Sequence, residues 1–245
     1  MQSLGLKQVR AHYEALLSEH YTWTFGGSAA KFKINYALLK ELLEGTPGPH
    51  LHASLESAGY TGFQTLPLLQ LGYRVKAVDA SEALLAELAH EAAAVCPDAV
   101  SRLQRVCGDI LDSSNFIYEQ EQEDSRCSSL PPPAVTASSP ELIVCMGDTL
   151  THLASIAEVN ALLADAYAAL VPGGRLIVQF RDLTQPLHGT DRFIPGIGAW
   201  ELCKSWYKKL GLTSNYVSML MQSHGFHVVL ADNDGGMVLL MAVHP

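Results

Sequence analysis

The sequence has no pair of cysteines in C-x-x-C spacing. Its five, Cys96, Cys107, Cys127, Cys145 and Cys203, are odd in number and scattered. That argues against a zinc ribbon or a disulfide framework and points to a reducing, cytoplasmic compartment. The ten histidines never fall into H-E-x-x-H or comparable spacing, so no metal is expected. No run approaches the roughly eighteen apolar residues of a membrane helix. The opening stretch MQSLGLKQVRAHYEALL has no signal-peptide core and reads as an amphipathic helix, so no membrane association is expected. Positive charge is scarce: 16 Lys and Arg stand against 25 Asp and Glu, a net charge of −9. That weighs against a nucleic-acid backbone as partner, because phosphates call for clustered Lys and Arg. The G-x-G-x-x-G fingerprint is also missing, which disfavours a nicotinamide-dependent oxidoreductase.

What is present is the material of one large α/β domain: 245 residues, 48% hydrophobic and 17% charged. The most informative stretch is ELIVCMGDTLTHL, followed by ALVPGGRLIVQFRDL. Residues 141–146 are an apolar run broken by Gly147 and Asp148. Residues 157–170 have helical spacing, Pro172-Gly173-Gly174 turns the chain, and Leu176 to Phe180 is a second apolar run. Strand, helix, turn and strand make a βαβ unit of a parallel sheet, and open α/β sheets hold ligands at the carboxyl ends of such strands.

Upstream, helices are expected over 5–20, 29–44, 63–71 and 82–95, and strands over 50–56, 73–78 and 103–107. Ser81 is placed to cap the helix from Glu82. Residues 112–140 differ in kind: four acids fall within Glu119 to Asp124, then Ser and Pro dominate to Pro140. This reads as an exposed insertion. A strand is expected around 200–210 and a helix at 213–224. Two last strands, Phe226 to Leu230 and Met237 to Val243, are joined by an Asp232–Gly236 turn and so run antiparallel.

Three early strands end in acid-bearing turns: Glu56 before Gly59, Asp79 before Ala80-Ser81, and Asp109 after Gly108. A carboxylate just past a parallel strand can accept both hydroxyls of a ribose, and the following helix N-terminus favours an anionic group.

In this arrangement YTGFQTLPLLQLGYRVKAVDASEALLAEL, CGDI, ELIVCMGDTLTHL and LVPGGRLIVQFRDL resemble the class I S-adenosylmethionine-dependent methyltransferases. The similarity is greatest to small-molecule methyltransferases that open with a tyrosine-rich segment like EHYTWTFGG. It spans roughly residues 10–190 and again 200–245, outside the insertion. It implies a three-layer Rossmann-like α/β sandwich with a mostly parallel seven-stranded sheet and a C-terminal antiparallel hairpin. Residues 1–48 would be an N-terminal helical lid segment, and 49–245 the methyltransferase domain. The cofactor implied is S-adenosyl-L-methionine, and the reaction is methyl transfer to a nitrogen or oxygen of a small molecule.

The same resemblance assigns roles. Glu56, Ala58, Gly59 and Gly62 would face the methionine part of the cofactor. Asp79 would bind the ribose hydroxyls beside Ala80, Asp109 the adenine amino group, and Ile110 would pack on the ring. Cys145, Met146 and Gly147 would lie along the cofactor near its methyl. Tyr21 and Trp23 would reach it from the lid, with Phe25 and Arg181 on the substrate side. Asp148 and His152 would be the pocket's catalytic candidates. Several of these positions carry a second reading. Tyr21, Trp23 and Phe25 fit one face of a packed segment, His152 a capping or surface role, Arg181 a pair with Asp182 or Asp148, and Cys145 a small buried side chain.

The sequence departs from the family's pattern in the first glycine turn. Ala58 and Tyr60 stand where glycines are expected, and only Gly62 is in place. After Pro195, GIGAWELCKSWYKKLGLTS replaces a longer set of antiparallel strands. These departures define the alternative: a non-catalytic methyltransferase-fold protein, a pseudoenzyme or binding protein that has lost its cofactor.

Overall fold

The computed structural model describes residues 28–44, 52–55, 62–117, 139–184 and 209–245, with the backbone alone at 28 and 52–55. In chain order the elements are α1 (Ser28–Leu42), β1 (His52–Leu55), α2 (Thr65–Gln70), β2 (Val75–Asp79), α3 (Glu82–Val95) and β3 (Leu103–Cys107). There follow β4 (Leu142–Cys145), α4 (Ile156–Ala169), β5 (Arg175–Arg181), α5 (Ser214–Ser223), β6 (His227–Asp234) and β7 (Met237–Val243). The strands form one sheet in the order β3-β2-β1-β4-β5-β7-β6. β3, β2, β1, β4 and β5 run parallel, while β7 is antiparallel to both β5 and β6.

The chain order dictates the layers. From β2 to β3 the chain steps outward on one side of β1, and from β4 to β5 outward on the other side. Right-handed crossovers in opposite directions put α3 and α4 on opposite faces of the sheet. The side chains agree with period-two alternation. Leu142, Val144 and Met146 point to a core shared with Leu39, Leu66, Leu69, Leu85 and Leu88 of α1, α2 and α3. Ile143 and Cys145 point to a core shared with Val159, Leu162 and Leu163 of α4 and Val217 and Met221 of α5. Both faces of the middle strands are covered, which is why β2 and β4 are buried at every position.

Helix starts follow their caps. Ser81 Oγ accepts the N–H of Leu84, Ser155 Oγ that of Glu158, and Thr213 Oγ1 that of Tyr216. Glu158 sits at the third position of an S-x-x-E start, but its carboxylate accepts the N–H of Ala154, one residue before the cap, at 2.7 Å.

Three expectations change in detail. The insertion does not begin at 112: a 3-10 turn covers Ser113–Phe116, Phe116 is fully buried, and Lys76 Nζ donates to the Ile117 carbonyl at 2.8 Å. Apolar packing thus keeps the chain on the domain up to Ile117, and the acidic stretch lies outside the described residues. β6 runs on to Asp234, and the hairpin closes on Gly235-Gly236 alone, with a bulge between Val228 and Leu230. At the start, Leu39 and Leu43 of the α1 region bury in the same core as α2 and α3, so this part of the expected 1–48 segment is built into the domain. The helix expected over 5–20 and residues 200–208 of the strand expected over 200–210 lie outside the described residues. Lys209 and Leu210, the rest of that strand, belong to no strand.

Candidate functional site

The carboxyl ends of five parallel strands share one edge of the sheet, in register Leu55 with Val78, Asp79 with Cys107, and Cys145 with Val178. The chain goes one way from β1 and the other way from β4, so β1 and β4 flank the switch point at which a crevice opens. Sequence-expected residues gather here: Gly62 beyond β1, Asp79 and Ala80 at β2, Asp109 at β3, Cys145 to Asp148 at β4 and Arg181 at β5. Tyr21, Trp23, Phe25, Glu56, Ala58 and Gly59, with Tyr60, lie outside the described residues.

At the β2 and β3 ends, carboxylates fold back on their own turns. Asp79 is only 2% exposed, and its Oδ1 accepts the N–H of Ser81 at 2.7 Å. Its carbonyl accepts the N–H of Gly108 at 3.0 Å, which ties the two strand ends together. Asp109 does the same: Oδ1 accepts the Leu111 N–H at 2.9 Å, and Asn115 Nδ2 donates to its carbonyl. That Asx turn, where the side chain mimics a backbone turn, has a consequence for Ile110. It is 1% exposed and packs in the core with Val78 and Phe116. The Ile110 side chain is thus turned to the core in this structure. Cys107 is exposed, with its Sγ 3.7 Å from the Ala80 carbonyl.

At the β4 end the geometry is different. Cys145 is buried on the α4 face, and burial pushes its thiol up to about 12. It is thus a small core residue and not a nucleophile. Met146 is buried on the opposite face. Gly147 has φ +76°, a left-handed conformation that costs a side-chain-bearing residue about 1–2 kcal/mol. It turns the chain out of the strand and into the 3-10 turn Thr149–His152.

Asp148 follows, with a side chain 13% exposed. Its Oδ2 accepts from Lys209 Nζ at 2.8 Å, and its Oδ1 accepts the backbone N–H of Arg181 at 3.0 Å. Arg181 Nε stands 3.9 Å from Oδ2, on a side chain 44% exposed. Burial pushes the Asp148 pKa up, but the Lys209 ammonium and Arg181 outweigh it and hold the carboxyl below its ordinary range. A carboxylate so engaged is a poor proton acceptor, and in this structure it pairs Lys209 with the tip of β5. His152 is buried in the same turn.

Gly62 is in place for a packing reason. Its φ is +73°, and a Cβ there would stand 2.5 Å from Leu88 Cδ1 and 3.1 Å from Leu66 Cγ. The glycine lets α2 and α3 close on the turn. Asn35, buried in α1, donates to the adjacent Phe63 carbonyl at 2.9 Å. Sequence reasoning missed Asn35 and Lys209. Asn35 carries no spacing signal, and Lys209 sits in SWYKKLGL beside a second lysine that looks the same. A cavity of about 190 Å³ lies at the opposite, amino edge of the sheet, against Leu43, Tyr73, Pro172 and Arg175. It is smaller than a typical ligand pocket and remote from the strand-end residues.

No known family model matches this chain, and no curated protein sequence does. Solved structures do. The glycopeptide N-methyltransferase MtfA, complexed with S-adenosyl-L-methionine, is similar over 86% of this chain and 92% of its own, with a TM-score of 0.56 and 20% identity. The magnesium protoporphyrin IX methyltransferase ChlM from Synechocystis PCC 6803, with bound S-adenosylhomocysteine, is similar over 98% of this chain and 100% of its own, with a TM-score of 0.64 and 13% identity. The N-methyltransferase NodS from Bradyrhizobium japonicum WM9, in complex with S-adenosyl-L-homocysteine, is similar over 97% and 99%, with a TM-score of 0.62 and 15% identity.

The fold is that of the class I methyltransferases.

Within this methyltransferase fold, Asp79, Asp109 and Gly147 lie along the carboxyl edge of the sheet, with Gly147 beside the switch point and the two acids one and two strands beyond β1. Among the described residues, no helix is long and apolar enough to cross a membrane.

Proposed function

We propose that this protein transfers a methyl group from S-adenosyl-L-methionine to a nitrogen or oxygen of a small molecule. The observation that carries the reading is the pair of acids at adjacent strand ends, Asp79 and Asp109, on the carboxyl edge of a methyltransferase fold, one and two strands beyond β1. Their chemistry suits the cofactor: carboxylates accept from vicinal ribose hydroxyls and from an adenine amino group. In this reading Asp79 holds the ribose beside Ala80, Asp109 the adenine, and the turn ending at Gly62 the methionine end. Cys145, Met146 and Gly147 form the wall beside the methyl, and Arg181 faces the acceptor. Tyr21, Trp23 and Phe25 belong to a lid. The cytoplasm, a reducing compartment, is the proposed location.

The cofactor, once bound, supplies an electrophilic methyl on a sulfonium. The protein's task is to bring the acceptor's lone pair into line behind that carbon and keep water away. In such a transfer the acceptor's lone pair would make the new N–C or O–C bond and the C–S pair would stay on sulfur. An amine must arrive neutral, and its proton leaves after transfer. Asp148, held ionised by Lys209, is suited to fixing the wall of the site and not to taking that proton.

The second reading, a cofactor-free methyltransferase-fold protein, is favoured by the burial of Asp79 and by Ala58 and Tyr60 in the glycine turn. Titration calorimetry with S-adenosyl-L-methionine separates the two, with Asp79→Ala as control. Binding by the wild type and its loss in the variant support the first reading. Binding that appears only after Ala58→Gly and Tyr60→Gly supports the second. A panel of amines and phenols with labelled cofactor then identifies the acceptor class.

A further inference from the structure

We propose that Lys209 is a positioning residue: its ammonium, seated on the buried Asp148 carboxylate, ties the approach to α5 onto the Gly147 turn and so sets the wall beside which methyl transfer occurs. The tether itself rests on geometry alone; its consequence for catalysis rests on the methyl-transfer reading above.

The contacts form a closed circuit across three elements. Lys209 Nζ donates to Asp148 Oδ2 at 2.8 Å, and the next residue, Leu210, donates its N–H to the Thr151 carbonyl at 2.8 Å. Two successive residues therefore grip the same turn, one by side chain and one by backbone. The turn is braced from within. The Asp148 carbonyl accepts both the Thr151 N–H at 3.0 Å and its hydroxyl at 2.7 Å, and Thr149 Oγ1 donates to the Met146 carbonyl at 3.0 Å. On the far side Asp148 Oδ1 holds the Arg181 N–H at the tip of β5. Two residues past Leu210, Leu212 is buried with α4 and α5 residues in the core. The anchor beyond the tether is thus rigid.

Lys209 outranks Arg181 as the charge partner. Its ammonium is at hydrogen-bond distance and its side chain is 24% exposed, whereas Arg181 Nε is 3.9 Å away on a side chain 44% exposed. Partly desolvated pairs at contact distance are the ones whose removal is felt, and exposed, longer ones contribute little. Without Lys209 the buried carboxylate keeps an exposed Arg181 as its cation, and the Gly147 peptide, one bond upstream, loses its fixed orientation. Displacements of about 1 Å at a reacting centre cost on the order of a hundredfold in rate.

The test compares full-length wild type with Lys209→Met, Lys209→Gln and Lys209→Arg. Two readouts are taken: the amide resonance and hydrogen exchange of Gly147 and Thr151, which need no ligand, and calorimetric titration with S-adenosylhomocysteine. The expected result is a shifted Gly147 amide and faster Thr151 exchange in Lys209→Met, both restored in Lys209→Arg, with S-adenosylhomocysteine binding weakened about tenfold and likewise restored. Lys209→Gln keeps a neutral donor on a shorter stem and removes the charge, so it reads the same signals if Lys209→Met does not fold. A Gly147 amide that stays put in the folded variant overturns the tether, and S-adenosylhomocysteine affinity that also stays put leaves the methyl-transfer reading standing without it. A shifted Gly147 amide in Lys209→Met, together with a wild type that binds no S-adenosylhomocysteine, upholds the tether and removes the methyl-transfer reading.

Discussion

The β2–β3 end and the β4–β5 end of the same sheet edge use the same residue type in opposite ways. Asp79 and Asp109 each accept an N–H two residues ahead, from Ser81 and Leu111. Asp148 accepts from Arg181, 33 residues away, and from Lys209, 61 residues away. The Asp79 and Asp109 bonds each close within a single turn. Those of Asp148 assemble only when β5 and the approach to α5 have packed. A carboxylate at a strand end is therefore not one kind of feature. Where it finds its donors decides whether it shapes its own turn or joins separate elements.

The largest effect is expected where the long-range carboxylate is removed. Asp148→Ala takes away the partner of Lys209 and the acceptor of the Arg181 N–H, and should cost about 3 kcal/mol of unfolding free energy in urea titration. Asp109→Ala, which loses one local bond at a partly exposed site, should cost about 1 kcal/mol or less. Equal losses in the two variants would erase the distinction between the two ends.

The pH dependence sharpens the same contrast. The Asp148 carboxyl is held below its ordinary value by Lys209 and Arg181, against the upward push of burial. A depressed folded-state pKa adds stability that is complete above the ordinary aspartate range and disappears as pH falls through the folded value. Thermal unfolding of wild type and Asp148→Asn between about pH 6 and pH 3 should show a wild-type advantage that shrinks at the acid end. A constant gap would place the stabilisation elsewhere.

Asp79→Ala should be modest in stability, about 1 kcal/mol for the loss of its bond to the Ser81 N–H. Its effect on S-adenosyl-L-methionine binding should be far larger, with calorimetric heat falling to baseline. Full binding in this variant would take Asp79 out of the cofactor site. The smallest effect is a protection. Cys107 is exposed beside the Ala80 carbonyl, while Cys96 and Cys145 are buried. Alkylation of the Cys107 peptide, followed by mass spectrometry, should slow severalfold with saturating S-adenosyl-L-methionine. An unchanged rate would move the adenine away from the β3 end.

Much of the fold was legible because it is written in local signals. The period-two and period-3.6 patterns, Ser81 before α3, and the Pro172-Gly173-Gly174 turn each act within a few residues, and the structure places elements where they point. Phe116 was lost to the insertion because its burial depends on a core built by other strands, which the polar composition after it hides. The inward side of Ile110 was likewise hidden, because the core it joins is built by Val78 and Phe116.

The sequence by itself determined the strand–helix alternation, the glycine at Gly147 that leaves β4, and the row of acids at the strand ends, because each depends on neighbours along the chain. Only the tertiary structure decided what those acids do. Lys209 and Arg181 reach Asp148 across 61 and 33 residues of chain, and the Gly62 position is fixed by Leu88 of another helix. Such partners are set by packing distance and by the need to pair a buried charge, and neither quantity exists until the chain has folded.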